Sequence, residues 1–139
     1  MKLSKDFESG EFTCGCGCQK DKVSPTLIAK LQLLRDIINK PIIITSGYRC
    51  VAYNKHINGS VYSPHLTGEG ADCYCNGMAP VTLAIIADKI NHIRLGIYSS
   101  HLHIDVRPAM PSKYWIFKDG KYTYSGKEKD LSKFIKKNL

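Results

Sequence analysis

The sequence predicts one α+β domain, with a small mixed or antiparallel sheet and two main helices. Two amphipathic helical patterns are separated by short apolar runs that have the length of β-strands. One of these runs alternates strictly between apolar and polar side chains, which is typical of a half-buried strand. A chain of 139 residues suits one hydrophobic core, so we expect a single domain over residues 1–139.

The first helix is predicted to begin at Ser24 and Pro25, where an N-cap hydroxyl precedes proline at the first helical position. It should end near Asn39, shortly before a proline that cannot continue the helix. A second main helix is predicted over residues 80–90, and a shorter one within residues 48–57. The apolar positions of the first helix recur at helical spacing: Leu27, Ile28, Leu31, Leu34, Ile37 and Ile38.

Five segments are predicted to be strands, and the last should precede a polar hairpin and a basic C-terminal helix. They are residues 42–45, 71–75, 94–97, 102–106 and the segment around Trp115 and Phe117. In the second of them, Asp72 shares a face with Tyr74, opposite the two cysteines. Asp72 can therefore point into a cleft while the cysteines pack into the core.

The charge pattern limits the classes of partner. The net charge is +8, from 20 Lys and Arg against 12 Asp and Glu, and a basic C-terminal extension covers about residues 118–139. We interpret this extension as a solvated surface. Because no arginine-rich stripe with interleaved aromatics is present, no nucleic-acid partner is expected. The chain lacks a run of about 18 apolar residues and a secretory signal pattern, so neither a membrane span nor a signal peptide is expected.

The chain has six cysteines: Cys14, Cys16, Cys18, Cys50, Cys73 and Cys75. An even number permits disulfides, but reduced thiols are the default without a secretory signal. The first three are separated by single glycines, a closer spacing than the two to four residues usual in structural zinc sites. We interpret them as thiols in a glycine-rich loop, with a structural metal ion as the alternative.

Two segments carry residues typical of a metal site. On the strand over residues 102–106, the alternation places His101, His103, Asp105 and Arg107 on one face. A solvent-exposed face would explain them, but two histidines and an aspartate are also ligands for a divalent metal. Earlier in the chain, glycines between His65 and Asp72 allow a sharp reversal that brings those two side chains together. Two ligands from this segment and one from the strand would leave a fourth position open, as in catalytic zinc sites.

Five motifs follow one another along the chain: Ser46-Gly47-Tyr48-Arg49, Ser63-Pro64-His65, Gly68, Ala71-Asp72 and His103-Ile104-Asp105-Val106-Arg107. In this order and spacing they resemble the D-alanyl-D-alanine metallopeptidase family, over roughly residues 11–117. That family includes VanX-type dipeptidases, cell-wall carboxypeptidases, murein endopeptidases and phage endolysins, and lysostaphin and hedgehog domains share its zinc site. The resemblance is to the small single-domain branch, and it implies a hedgehog-like or D-Ala-D-Ala-peptidase-like fold.

The resemblance also implies roles for individual residues. His65, Asp72 and His103 would bind Zn²⁺. Arg49 would bind a substrate carboxylate or the carbonyl oxygen that becomes anionic, with a structural salt bridge as the alternative. Ser63 would contribute a hydroxyl contact to the substrate.

One position departs from the family pattern. Many members carry a general base three residues before the last histidine ligand, where this chain has Ser100. His101 and Asp105 are the two substitutes within one strand repeat of His103. We expect Asp105 to be a required acid and His101 to be the base or an oxyanion stabiliser. Asp105 could instead orient a histidine ligand or pair with Arg107.

These observations lead to an expected function. The resemblance implies a monomeric zinc metallopeptidase that cuts a peptide bond in bacterial peptidoglycan, either in a D-amino-acid-containing stem peptide or in a cross-link. It would be a hydrolase of the murein endopeptidase or D-Ala-D-Ala carboxypeptidase type. A phage or prophage endolysin, released from the cytoplasm or carried on the virion, fits the small size and basic charge. The alternatives are a catalytically inactive zinc-bearing recognition domain and a basic nucleic-acid-binding module with zinc on its cysteines.

Overall fold

The computed structural model describes residues 1–109 and 111–139. In this part of the chain there are four α-helices, α1 (Pro25–Ile38), α2 (Val51–His56), α3 (Pro80–Ala87) and α4 (Leu131–Asn138). The strands of the same residues are β1 (Ile43–Ser46), β2 (Gly70–Tyr74), β3 (Arg94–Ile97), β4 (Leu102–Asp105), β5 (Tyr114–Lys118) and β6 (Lys121–Tyr124). Short 3-10 turns lie at Ser9–Phe12 and Pro64–Thr67.

The strands of the described residues form one mixed sheet in the order β1-β2-β4-β3-β5-β6. Neighbouring strands run antiparallel except for β3 and β5, which are parallel. The predicted α+β class with a mixed sheet is therefore confirmed. The two expected main helices correspond to α1 and α3, the expected short helix to α2, and the expected basic C-terminal helix to α4.

One face of the sheet forms the hydrophobic core. Alternate residues of β2 and β4, such as Cys73 and Ile104, pack there against α1, α3 and α4. The other face carries Asp72 and His103, as the alternation in the sequence predicted. No helix in the described ranges is long and apolar enough to span a bilayer.

The ends of α1 follow the sequence signals. The Ser24 hydroxyl accepts hydrogen bonds from the backbone N–H groups of Thr26 and Leu27. Asn39 ends the helix in the left-handed conformation, at φ 51°. The short helix is shorter than its predicted range, because Cys50 is the N-cap residue of α2 and its sulfur accepts the N–H of Tyr53.

The C-terminal segment is anchored more firmly than the charge pattern indicated. β6 pairs with β5, and α4 inserts Leu131 and Phe134 into the core. The buried Tyr114 donates its hydroxyl to Asp88 at 2.6 Å. The expectation of a merely solvated extension is corrected in this respect, since α4 buries an apolar stripe while lysines cover its other face.

Candidate metal centre

Three side chains from separate elements meet on the sheet face opposite the core. His65 lies on the Pro64–Thr67 turn, Asp72 on β2 and His103 on β4, where strand pairing sets it opposite Asp72. One ligand atom of each residue lies within 4.8 Å of the other two, and all three residues are buried. Gly70 permits this approach, because a Cβ there would lie 3.1 Å from Cε1 of His103.

The hydrogen bonds of His65 determine which ring nitrogen is free. Nδ1 lies 2.7 Å from the carbonyl oxygen of Gly47. Since a carbonyl can only accept, Nδ1 must carry the proton and donate it. Nε2 is then left with its lone pair, 3.3 Å from Oδ1 of Asp72. Burial lowers the pKa of His65, which also favours the neutral ring that a metal requires.

His103 is held from behind by Asp105. Nε2 of His103 lies 2.8 Å from Oδ2 of Asp105, and Nδ1 lies 2.9 Å from Oδ1 of Asp72. Asp105 is fully buried and also accepts two hydrogen bonds from the guanidinium of Arg94, at 2.8 and 2.9 Å. The backbone N–H of Arg107 donates a further bond to it at 3.1 Å. Asp105 thus fixes the ring so that Nδ1 faces Asp72.

This arrangement changes the sequence-based view of Asp105. Its oxygens already accept four hydrogen bonds and lie on the far side of the His103 ring from Asp72. The geometry therefore favours the alternative of orienting a histidine over that of a required acid. Its charged partner is the side chain of Arg94, whereas only the backbone of Arg107 reaches it.

The hydrogen bonds within the cluster determine the pKa values of His103 and Asp72. Burial opposes a charge on His103, but hydrogen bonds to Asp105 and Asp72 outweigh it and raise the pKa of His103 to about 9. Burial likewise opposes the charge on Asp72, yet the hydrogen bond from His103 holds the pKa of Asp72 far below the usual value. Asp72 is therefore a carboxylate, and a bound cation would take the place of the His103 proton.

The donor set fits zinc. Two imidazole nitrogens and one carboxylate are ligands that zinc takes in catalytic sites. Ligand atoms about 2.0–2.1 Å from a tetrahedral zinc ion lie about 3.3–3.4 Å apart. The distances of 3.3 and 2.9 Å from Oδ1 of Asp72 to the histidine nitrogens are close to that spacing. Gly47 and Asp105 supply the outer hydrogen bonds that zinc-binding histidines usually make.

A family model described as Peptidase M15 matches residues 5–106. The chain belongs to the peptidase M15 family. The resemblance that the motifs predicted, to D-alanyl-D-alanine zinc peptidases, is thereby confirmed. Because M15 peptidases are zinc-dependent, the family supports a metallopeptidase activity for this chain. No curated protein sequence matches the chain.

Arg49 of this M15 peptidase lies beside the candidate zinc ligands. Its Nη2 lies 3.2 Å from Oδ2 of Asp72, and its Nε donates to Oγ of Ser46 at 3.0 Å. Its backbone N–H donates to the carbonyl of His65, which ties it to the turn that carries that residue. The guanidinium thus forms the salt bridge to Asp72 and also lines the cleft.

His101 faces the same cleft from β4's leading end. Its Nε2 lies 3.9 Å from Oδ2 of Asp72, and its Nδ1 lies 2.9 Å from the hydroxyl of Ser100. The ring stacks on Tyr98 with centroids 4.3 Å apart. Burial lowers the pKa of His101, so the ring is neutral at pH 7 and can accept a proton.

Ser63 and Arg107 hold the turn that carries His65. The Ser63 hydroxyl lines the cleft but also accepts the backbone N–H of His65 at 3.2 Å. Arg107 pairs with Glu69 at 3.2 Å and donates to the carbonyl oxygens of Tyr62 and Ser63. Sequence reasoning missed this clamp, although Arg107 stands in a motif that was identified, because its partners lie about 40 residues earlier.

The cleft has a volume of about 860 Å³ and a wall of aromatic side chains. Trp115 lies over Gly96, with its ring centroid 5.0 Å from that of His103. Tyr98, Tyr122 and Tyr124 continue this wall away from the candidate metal centre. The last two lie on β6, beyond the family match, and both are largely exposed. Sequence reasoning missed Tyr122 and Tyr124, because they reach the cleft only through the pairing of β6 with β5.

Proposed function

We propose that this M15 peptidase hydrolyses a peptide bond in bacterial peptidoglycan, in a D-amino-acid-containing stem peptide or a cross-link, with zinc bound by His65, Asp72 and His103. The observation that carries the proposal is the convergence of these three ligand atoms within 4.8 Å at the base of an open cleft. Arg49 and His101 lie beside them with free hydrogen-bonding capacity toward the cleft.

The free ring nitrogens assign the ligand atoms. His65 would bind through Nε2 and His103 through Nδ1, since their other nitrogens are occupied by Gly47 and Asp105. Asp72 would contribute a carboxylate oxygen. A zinc ion bound in this way acts as a Lewis acid that activates water and polarises a peptide carbonyl.

Arg49 would bind the substrate. Its guanidinium is always charged and presents several N–H donors in one plane. Nε donates to Ser46, Nη1 to Asn54 at 3.5 Å and Nη2 to Asp72. The second N–H of each Nη group can hold a terminal carboxylate or a carbonyl oxygen that gains charge. A hydroxyl contact from Ser63 remains a proposal, limited to the proton that this hydroxyl can still donate.

His101 would be the general base. Its ring is neutral, faces the cleft and is fixed by Ser100 and Tyr98. When a water molecule attacks the carbonyl, Nε2 is the group beside the candidate zinc ligands that can accept its proton. Asp105 would act on the reaction through the orientation of His103.

The net charge of the chain bears on where the enzyme would act. A net charge of +8 favours adsorption to the anionic polymers of a bacterial cell wall. This adsorption supports an activity at the cell wall, and we propose in addition that the chain is a phage or prophage lysis enzyme that acts as a monomer.

The test is a digest of purified peptidoglycan with the zinc-loaded protein, followed by mass spectrometry of the soluble fragments. An endopeptidase would separate cross-linked peptides, whereas a carboxypeptidase would release single terminal D-amino acids. His103→Ala is the matched negative control. If the zinc-loaded wild type binds peptidoglycan without cutting it, the chain is a catalytically inactive recognition domain. Ser100 favours this alternative because it stands where many family members have a general base.

A further inference from the structure

Four cysteines from two distant segments meet at a second site. One sulfur each from Cys14, Cys16, Cys18 and Cys50 lies within 4.8 Å of the others. The sulfurs of Cys14 and Cys16 are 3.5 Å apart, and those of Cys16 and Cys50 are 3.7 Å apart. This thiol cluster is separate from the candidate zinc ligands of the cleft, and none of its members lines that cleft in the described residues.

The spacing of the sulfurs indicates the chemistry. A disulfide requires an S–S distance of about 2.0 Å, much shorter than the two distances measured here. A zinc ion with Zn–S bonds of about 2.3 Å holds its sulfurs about 3.8 Å apart in a tetrahedron. The distances of 3.5 and 3.7 Å are close to that value. The cluster therefore has the dimensions of a site for one tetrahedral ion.

We propose that Cys14, Cys16, Cys18 and Cys50 bind a structural zinc ion. Four thiolates close the coordination sphere, which is the pattern of a structural site rather than a catalytic one. The one-residue gaps argued against zinc when the first three cysteines were considered alone. The structure supplies the fourth ligand, Cys50, from the start of α2, 34 residues after Cys16.

The glycines between the cysteines make the narrow spacing possible. Gly17 has φ +84°, a left-handed conformation that lets the chain fold back between Cys16 and Cys18. A Cβ on Gly15 would lie 2.9 Å from the hydroxyl oxygen of Tyr53, so a larger residue there would have to displace the Tyr53 ring as the loop approaches α2. Both glycines thus serve the convergence of the sulfurs.

Backbone N–H groups already point at two of the sulfurs. The N–H of Cys50 donates to Sγ of Cys14 at 3.3 Å, and the N–H of Tyr53 donates to Sγ of Cys50 at 3.4 Å. Outer hydrogen bonds of this kind orient the ligands of metal sites. Because Cys50 follows Arg49 directly, a zinc ion here would join the N-terminal loop to the segment that carries Arg49.

The test compares metal content and cobalt spectra among four proteins purified under reducing conditions. The wild type should hold two zinc ions per chain, and His103→Ala should retain one. In His103→Ala, cobalt in place of zinc should give intense thiolate-to-cobalt charge-transfer bands, because the thiol cluster is the one of the two candidate metal sites in the described residues that has sulfur ligands. Cys50→Ser should lose this ion and these bands while the hydroxyl preserves the N-cap of α2. Cys75→Ala, outside the cluster, should behave as the wild type.

Thiol labelling of the wild type tests the same site without any substitution. Cys16 and Cys18 are exposed, so they should react slowly while zinc is bound and rapidly after a chelator removes it. A sulfur-free cobalt spectrum, bound iron in place of zinc, or equally fast labelling with and without zinc would each overturn the proposal. A different result would count against the zinc site of the peptidase proposal. If the wild type held one zinc ion and His103→Ala kept it, the thiol cluster would bind zinc and the cleft would not.

Discussion

Each histidine of the candidate metal centre is oriented through the ring nitrogen that faces away from Asp72. The partner is a backbone carbonyl for His65 and a buried carboxylate for His103. As a result the two rings present different nitrogens, Nε2 and Nδ1, toward the same carboxylate. The residue types in the motifs do not reveal this difference, because the carbonyl of Gly47 reaches His65 only through tertiary structure.

A comparison of two variants should distinguish the role of His101 from that of Asp105. His101→Ala should lower kcat about 100- to 10,000-fold, because it removes a general base, while the zinc content stays normal. Asp105→Asn should instead weaken zinc affinity about 10- to 100-fold, and excess zinc should restore much of the activity. Steady-state kinetics at increasing zinc, together with metal analysis, measure both effects. A large loss of kcat in Asp105→Asn at saturating zinc would show that Asp105 takes part in proton transfer after all.

Zinc binding at the cleft should depend on pH. The raised pKa of His103, about 9, means that the proton is bound tightly and competes with the metal below that pH. The apparent affinity should therefore fall about tenfold for each pH unit below that pKa, and rise no further above it. Competition titrations with a chromophoric chelator would measure this slope, and His101→Ala should keep it. An affinity that does not vary with pH below that value would contradict the proton-bearing state of His103.

At the scale of elements, the pairing of β2 with β4 determines where the candidate metal centre lies. Both strands were predictable, since alternation in the sequence placed Asp72 and His103 on faces opposite the core residues. The motifs and the family resemblance predicted the convergence of the histidines. The Arg107 clamp and the position of Cys50 were not predictable, because they depend on contacts between residues far apart in the chain.

The position of the aromatic wall depends on Gly96. A Cβ there would lie 2.3 Å from Cε2 of Trp115, so Gly96→Ala must displace the indole that packs beside His103. We expect a higher KM for peptidoglycan fragments and a loss of about 1–3 kcal/mol in unfolding free energy, as for other overpacked sites. Kinetics and thermal melts would measure both. Gly10→Ala, where a Cβ meets nothing within 4 Å, is the control. An unchanged KM would show that Trp115 does not contribute to substrate binding.

At the scale of the whole molecule, one sheet separates two environments. The core, with α1, α3 and α4, occupies one face, and the buried polar cluster with its cleft occupies the other. The segment from Ser46 to Cys50 connects the candidate metal centre with the thiol cluster. The carbonyl of Gly47 accepts a hydrogen bond from His65, Arg49 contacts Asp72, and Cys50 belongs to the thiol cluster. The C-terminal hairpin and α4, beyond the family match, complete both the cleft wall and the core.

The contribution of α4 to the core can be measured directly. Phe134 is buried and stacks on Tyr114 with ring centroids 6.2 Å apart. Phe134→Ala should therefore lower the free energy of unfolding by about 3–5 kcal/mol, as for other buried aromatic residues. Lys136→Ala, on the exposed face of the same helix, should change it by less than about 0.5 kcal/mol. Equal effects of the two substitutions in urea denaturation would mean that α4 does not belong to the folded core.

The most direct test of the metal centre is the position of the ion itself. Anomalous scattering at the zinc edge, from crystals of zinc-loaded protein, should show an ion at the base of the cleft. It should lie about 2.0–2.1 Å from Nε2 of His65 and Nδ1 of His103, with Asp72 as the third protein ligand. An ion bound to other residues of the cleft, or no anomalous peak there in zinc-loaded crystals, would contradict this assignment.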